Sequence, residues 1–253
     1  MILKNNRRNF VKNAAIGAVA ALAIPDIITS AYAKERSKKA MLDENDIILF
    51  QGDSITEWGR DKNKHTANDF GSLGSGYVLL TATEVLRDYA TKNLKIYNTG
   101  VSGNKVFQLA DRWDTDTIAI KPNVLSIMVG VNDYWHTITS GYKGTLDIYR
   151  ADYKKLIVRT QQALPGVKLI IGESFAMKNV KAVDDSWYPA FDGYRQVARE
   201  VADEFGAAFI PYQSVMDEAL KLAPPTYWSI DGVHPTPAGA SLMAQAWLRA
   251  VKG

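Results

Sequence analysis

The sequence contains no cysteine. That excludes disulfides, thiolate metal sites, a cysteine nucleophile and a lipid-modified cysteine anchor, so any chemistry falls to oxygen or nitrogen groups. Histidine is scarce too: only His65, His136 and His234 occur, and an imidazole-rich metal centre would need nearly all of them. Neither a metal nor another cofactor is expected. Neither Gly-x-x-x-x-Gly-Lys-Ser/Thr nor Gly-x-Gly-x-x-Gly is present, which leaves nucleotide phosphates without their usual backbone cradle.

An excess of one charge is also missing once the amino terminus is set aside. The chain carries +3 overall, but residues 1–33 hold Lys4, Arg7, Arg8 and Lys12 against Asp26, leaving 26 basic and 26 acidic residues in the remainder. A neutral body offers no electrostatic case for nucleic acid or a membrane surface. Hydrophobic residues make up 47% and charged residues 23% of the 253, which rules out disorder and fits a single large domain.

The amino terminus reads as an export signal: a basic start, the apolar stretch Ala14 to Pro25, then Ala31-Tyr32-Ala33 with small residues where a signal peptidase cuts. The stretch is too short to span a bilayer comfortably. Asn6-Arg7-Arg8-Asn9-Phe10-Val11-Lys12 resembles a twin-arginine box, although an ordinary Sec signal remains the alternative. Residues 1–33 are thus expected to be the signal, 34–44 a short lead and 45–253 the working domain. A mature protein starting near Lys34 would be periplasmic or secreted, with no stable membrane insertion after cleavage.

From Ala40 onward, short apolar runs at Asp46–Phe50, Lys95–Asn98, Val124–Val129, Val167–Ile171 and Ala207–Ile210 alternate with amphipathic stretches. The latter lie at Gly76–Tyr89, Val106–Ile118, Leu146–Ala163, Pro189–Phe205 and Pro237–Val251. The alternation predicts an α/β fold with a five-stranded parallel sheet and helices on both faces. Such folds open their sites at the carboxyl ends of strands.

Three of those ends, and a fourth segment near the carboxyl end of the chain, carry chemistry. The first run leads into Gln51-Gly52-Asp53-Ser54-Ile55-Thr56, where Gly52 allows a sharp turn and exposes a serine at the strand tip. The second leads into Asn98-Thr99-Gly100-Val101-Ser102-Gly103-Asn104, and the third into Gly130-Val131-Asn132-Asp133. Near the carboxyl end, Asp231-Gly232-Val233-His234-Pro235 places a carboxylate where it can fold back on Nδ1 and leave Nε2 free to take a proton. Each segment alone also makes ordinary turns.

Together the four segments resemble the SGNH branch of the GDSL hydrolase family, with Ser54, Gly103, Asn132 and His234 matching its four blocks in order. The resemblance implies a flavodoxin-like three-layer α/β/α sandwich. It also implies Ser54 as nucleophile, His234 as base, Asp231 as its orienting partner, and an oxyanion hole from the amides of Ser54 and Gly103 with the side chain of Asn132. There is no Gly-x-Ser-x-Gly elbow, so the larger α/β-hydrolase family is not indicated.

Aromatic residues cluster around these segments: Trp58, Tyr134-Trp135 and Tyr227-Trp228. Asp53, Trp58, Trp135 and Trp228 are the candidate substrate-contacting side chains, with packing between loops and sheet as the competing role for the rings. Gly52 to Arg60 and Leu73-Gly74-Ser75-Gly76-Tyr77 resemble the carbohydrate, xylan-type, acetylesterase branch. The expected partner is therefore an acetylated poly- or oligosaccharide. A general short-chain esterase, a lysophospholipase-like hydrolase and a non-catalytic glycan-binding module are the alternatives. Arg112, Trp113 and Glu173 are secondary candidates, with Glu173 placed either to face the site or to brace it and structural salt bridges as the expected role of Arg112 and Glu173.

Overall fold

Most of the apolar runs become parallel strands because they are buried on both faces and need no polar alternation, whereas Lys95–Asn98 at the sheet edge alternates exposed and buried positions. The structure is a computed structural model that describes residues 25–33 and 38–252. Residues 25–32 form α1. The chain continues through β1 (Ile47–Gly52), α2 (Ser54–Glu57), α3 (Phe70–Leu73), α4 (Tyr77–Asp88) and β2 (Lys95–Asn98). Next come α5 (Val106–Asp111), α6 (Trp113–Asp116), β3 (Val124–Met128), α7 (Val131–Thr139), α8 (Leu146–Ala163) and β4 (Lys168–Gly172). The last elements are α9 (Ala190–Glu204), β5 (Ala208–Ile210), α10 (Tyr212–Ala219), α11 (Pro225–Trp228) and α12 (Pro237–Val251).

All five strands are parallel, in the order β2-β1-β3-β4-β5, with Ile48 of β1 level with Ile96 of β2 and Val124 of β3. Helix α12 packs on α4, α10 and β5, whereas α8 packs on α5 and α9, and α9 on β4. These two helical layers enclose the sheet in the three-layer α/β/α arrangement expected from the sequence. The chain leaves β1 outward to β2 and returns past β1 to β3. The crevice beyond the carboxyl ends of β1 and β3 is thus the topological switch point where such sheets bind ligands.

The expected helix over 106–118 is broken. At Arg112 the backbone leaves helical geometry (φ −109°, ψ 10°), ending α5 and starting α6. Arg112 turns its guanidinium onto Thr99 O (2.7 Å), Gln51 Oε1 (2.9 Å) and Asp116 (2.6 Å), a buried network that amphipathic periodicity cannot anticipate. Helices α7 and α10 form in addition to those expected.

Residues 1–24 and 34–37 of the expected signal and lead lie outside the described residues. In α1, Ile27, Ile28, Ala31 and Tyr32 are buried, and the Tyr32 hydroxyl donates to Ala246 O of α12 at 2.9 Å. Among the described residues no helix is long and apolar enough to cross a membrane.

The C-terminal helix is pinned to the sheet by Trp247, which is fully buried. Its ring lies 5.1 Å from that of Phe50 on β1, and its indole N–H donates to Ser126 Oγ on β3 at 3.0 Å. Truncation opens a large cavity and strands Ser126, so Trp247→Ala is expected to cost about 3–5 kcal/mol of stability. Chemical denaturation measures this; a loss under about 1 kcal/mol would mean that α12 does not depend on this anchor.

Candidate active site

The serine is presented by a turn that only glycine permits. A side chain at Gly52 would meet Met128 O at 2.3 Å and Thr56 Oγ1 at 2.5 Å, so β1 can pass this close to β3 only without a Cβ. Asp53 then caps α2 by accepting from Ile55 N at 3.0 Å. Ser54 opens that helix, where its amide has no intrahelical acceptor, and its side chain remains half-buried.

From the other end of the chain, the turn between α11 and α12 brings His234 to this hydroxyl. Ser54 Oγ and His234 Nε2 are 2.7 Å apart, and His234 Nδ1 lies 2.7 Å from Asp231 Oδ2. The second carboxylate oxygen accepts from Val233 N at 2.9 Å and His234 N at 2.8 Å. Burial alone would raise the Asp231 carboxyl, but these donors outweigh it and hold it down at about 2. Burial likewise opposes a charged His234, yet the hydrogen bond and charge of Asp231 raise the imidazole above its ordinary value. The carboxylate thus fixes the tautomer and leaves Nε2 facing the serine.

Gly103 and Asn132 sit on the neighbouring strand tips and are tied to the serine turn. Val101 N donates to Gly52 O at 3.0 Å. Asn132 gives one amide hydrogen to Asn104 O at 3.3 Å, and the next side chain, Asp133, accepts from Val106 N at 3.2 Å. Two adjacent residues of α7 therefore stitch it to the Gly103 segment. Gly103 itself has φ +78°, a conformation that strains any residue with a Cβ.

Two further residues act here that the sequence did not single out. Asn98 donates to Thr56 O (2.7 Å) and Leu73 O (2.9 Å) and accepts from Gly100 N (2.9 Å), joining the serine helix to α3 and the glycine segment. Trp187 packs against Trp135 at 5.7 Å and Tyr134 at 5.3 Å. A buried asparagine at a strand end leaves no pattern to read, and Trp187 lies far from every motif.

The expected substrate-contacting residues divide. Trp58 and Trp135 lie 5.5 and 6.3 Å from the His234 ring and are half-buried at its rim. Asp53 and Trp228 are buried instead, correcting the expectation for both. Asp53 is spent on capping α2, and Trp228 donates its indole N–H to Ala223 O at 3.2 Å. The expected ion pairs form, Arg112 with Asp116 at 2.6 Å and Glu173 with Arg195 at 3.0 Å. His136 borders Gly103, whereas His65 lines a separate recess with Tyr97 and Thr115.

Beneath the serine lie two carboxyls of a different kind. Asp53 and Asp133 are almost wholly buried, and Oδ2 of each makes no hydrogen bond. Burial is the main cause that pushes both up to about 7. Their folded values are raised, so each contributes stability that is complete below the ordinary carboxyl value near 3.8 and is lost as pH climbs through 7. Asp231 has the opposite sign: its contribution is present above 3.8 and disappears as pH falls toward 2. Asp133→Asn keeps an acceptor for Val106 N and is therefore expected to flatten the decline in stability between about pH 4 and 7. Unfolding midpoints across a pH series measure the slope; parallel curves for both proteins would refute the assignment.

Over most of its length the chain is similar to known hydrolases. Residues 50–242 match the GDSL-like Lipase/Acylhydrolase family. An acetylxylan esterase of Geobacillus stearothermophilus is 33% identical over 208 residues, spanning 81% of this chain and 93% of that protein. Its crystal structure superposes with a TM-score of 0.75 at 32% identity, covering 83% of this chain and 96% of that one. A structure from Parabacteroides merdae ATCC 43184, named a GDSL-like lipase, superposes with a TM-score of 0.83 at 50% identity, covering 84% of this chain and 98% of that one. With a family match across most of its length and a serine at the first strand tip, the chain belongs to the GDSL-like lipase/acylhydrolase family and is a serine ester hydrolase.

Proposed function

We propose that the protein is an exported acetylesterase that removes O-acetyl groups from a carbohydrate through an acyl-enzyme on Ser54. The observation that carries the mechanism is the continuous line of two 2.7 Å contacts from Ser54 Oγ through His234 to Asp231. An unassisted serine hydroxyl is a poor nucleophile. As Oγ attacks the acetyl carbonyl carbon, its proton passes to Nε2, and Asp231 stabilises the imidazolium. Negative charge gathers on the carbonyl oxygen, where the amides of Ser54 and Gly103 and the second amide hydrogen of Asn132 stabilise it. Collapse breaks the bond to the sugar oxygen, which takes the proton from His234. Water then gives a proton to His234, attacks the acetyl-serine, and acetate leaves as Oγ regains its proton.

The carbohydrate assignment draws support from the half-buried Trp58 and Trp135 at the rim and from the likeness to an acetylxylan esterase. Flat aromatic faces suit pyranose rings. The name of the Parabacteroides relative favours longer acyl chains as a second reading. Export rests on the basic, apolar and Ala-x-Ala pattern of residues 1–33, with twin-arginine transport as the proposed route and a periplasmic or secreted location. Amino-terminal sequencing of the exported protein should begin near Lys34, and an intact Met1 would exclude this processing.

Ser54→Ala and His234→Ala are each expected to lower kcat by about 10³-fold or more with unchanged circular dichroism, since both belong to one proton-transfer unit. Asn132→Ala should lose about 10²–10³ in rate. Acetate release from acetylated xylan, pectin and sugar acetates, set against an acyl chain-length series, reads all three variants and the substrate together. Near-wild-type turnover by Ser54→Ala would overturn the mechanism, and faster cleavage of long-chain esters would overturn the acetyl assignment.

A further inference from the structure

One cation beside the active site makes no ion pair among the described residues. Lys105 follows Asn104, whose carbonyl holds Asn132, and only 8% of it is exposed. Among the described residues no carboxylate lies within ion-pair distance of its ammonium, whose one polar contact is Gln108 Oε1 at a long 3.4 Å. Arg112 and Arg195, also largely buried, each meet a carboxylate at 3.0 Å or less. Partial burial of the ammonium lowers the Lys105 pKa. Asp133 acts on it electrostatically, but its bonded oxygen is engaged by Val106 N and burial favours its neutral form.

The surroundings of the ammonium are aromatic. Its nitrogen lies 4.9 Å from the Tyr142 ring centre and 5.8 Å from that of Phe107. These two rings stack at 5.9 Å with only 23° between their planes, and Phe107 is 37% exposed. They present a flat apolar face with a positive charge beside it. The corner is also fixed: Ser140 N and Tyr142 N both donate to His136 O, at 3.0 and 3.1 Å. Burial and the Lys105 charge lower His136, keeping it neutral, so it adds hydrogen-bonding capacity without repelling the lysine.

The corner is continuous with the site. Helix α7 sets Trp135 against His234 and, one residue later, His136 beside Gly103, where a Cβ would lie 3.9 Å from its Cε1. We propose that Lys105, Phe107, His136 and Tyr142 form a subsite for a uronic acid unit neighbouring the acetylated sugar, with its carboxylate on Lys105 and its ring against the aromatic face. This deepens the carbohydrate reading and rests on it. At neutral pH a uronic acid unit supplies both the pyranose ring and the anion that the corner lacks.

The test compares acetate release from acetylated xylo-oligosaccharides with and without a uronic acid branch, matched in acetyl content. The acidic substrate should be preferred about tenfold in kcat/KM, the size of one charge-assisted hydrogen bond, with the difference mainly in KM. High salt should erode the preference. Lys105→Met should bring the ratio close to one, and Lys105→Arg should retain it. Equal rates on both substrates, or a preference that survives Lys105→Met, would overturn the subsite while leaving the glycan acetylesterase intact. Hydrolysis of p-nitrophenyl acetate with release from neither glycan would overturn both. Should Lys105→Met fail to fold, the wild-type ratio and its salt dependence decide alone.

Discussion

The 2.7 Å hydrogen bond between Ser54 Oγ and His234 Nε2 joins groups 180 positions apart, and the rest of the site is arranged around it. Neither residue sets this distance for itself. Ser54 is aimed by the close passage of β1 past β3 at Gly52 and by the Asp53 cap. His234 is aimed by a turn in which Asp231 binds two backbone amides with one oxygen and the imidazole with the other. Rotating the ring would break a charge-assisted bond worth about 1.5–3 kcal/mol, so the imidazole is held ready before substrate arrives. The bond also requires α12 to be docked on the strands that carry the serine, and Trp247 supplies that link through Phe50 and Ser126.

The aspartates of the site show how donors and depth set charge. Asp231 receives three hydrogen bonds and remains ionised down to about pH 2. Asp53 receives one side-chain bond and Asp133 one, both from backbone amides in a dry interior, and both titrate near 7. The Asp53 charge, when present, also raises His234. The two buried groups favour their neutral forms at little cost to their structural work, because an uncharged carboxyl still offers an acceptor to Ile55 N or Val106 N. A full negative charge beneath the serine would oppose an oxyanion forming above it. The fold thus keeps Asp231 ionised beside the imidazole and, by burial, disfavours the charged forms of Asp53 and Asp133.

Much of this was legible in sequence, for reasons particular to each element. Four strands were readable because buried parallel strands are unbroken apolar runs, and they differ from their expected bounds by one or two residues at their ends; the edge strand β2, with Lys95 and Asn98 at its ends, matches its expected bounds without being such a run. Helix α7 was not readable, since Val131–Thr139 is short, follows directly on Gly130 and carries Asn132-Asp133, a pair that also reads as a turn, and α10 begins directly after Pro211. The break at Arg112 had no local signal, because its cause is a guanidinium turned inward to groups on β1 and beyond β2. At the site, the residues in motifs could be named from their resemblance to the four blocks of the family. Those that only brace, such as Asn98 and Trp187, could not, because their partners are distant in sequence.

The aromatic rim makes the same point about proximity. Tyr227-Trp228 precedes the Asp231 turn as closely as Trp58 follows Ser54, yet Trp228 is packed inward and Trp58 faces the histidine. What separates them is the backbone beneath: α11 turns Trp228 onto Ala223, whereas Trp58 follows directly on α2 beside the imidazole. Trp135 reaches the same ring from α7, with Trp187 behind it. The leaving sugar oxygen must take its proton from Nε2 if the acyl-enzyme mechanism operates, so the sugar has to lie over His234, between Trp58 and Trp135. From there α7 leads along Trp135 and His136 toward Lys105 and Tyr142, so under the proposed function one helix would set both where the proton is delivered and which neighbouring sugar the rim accepts.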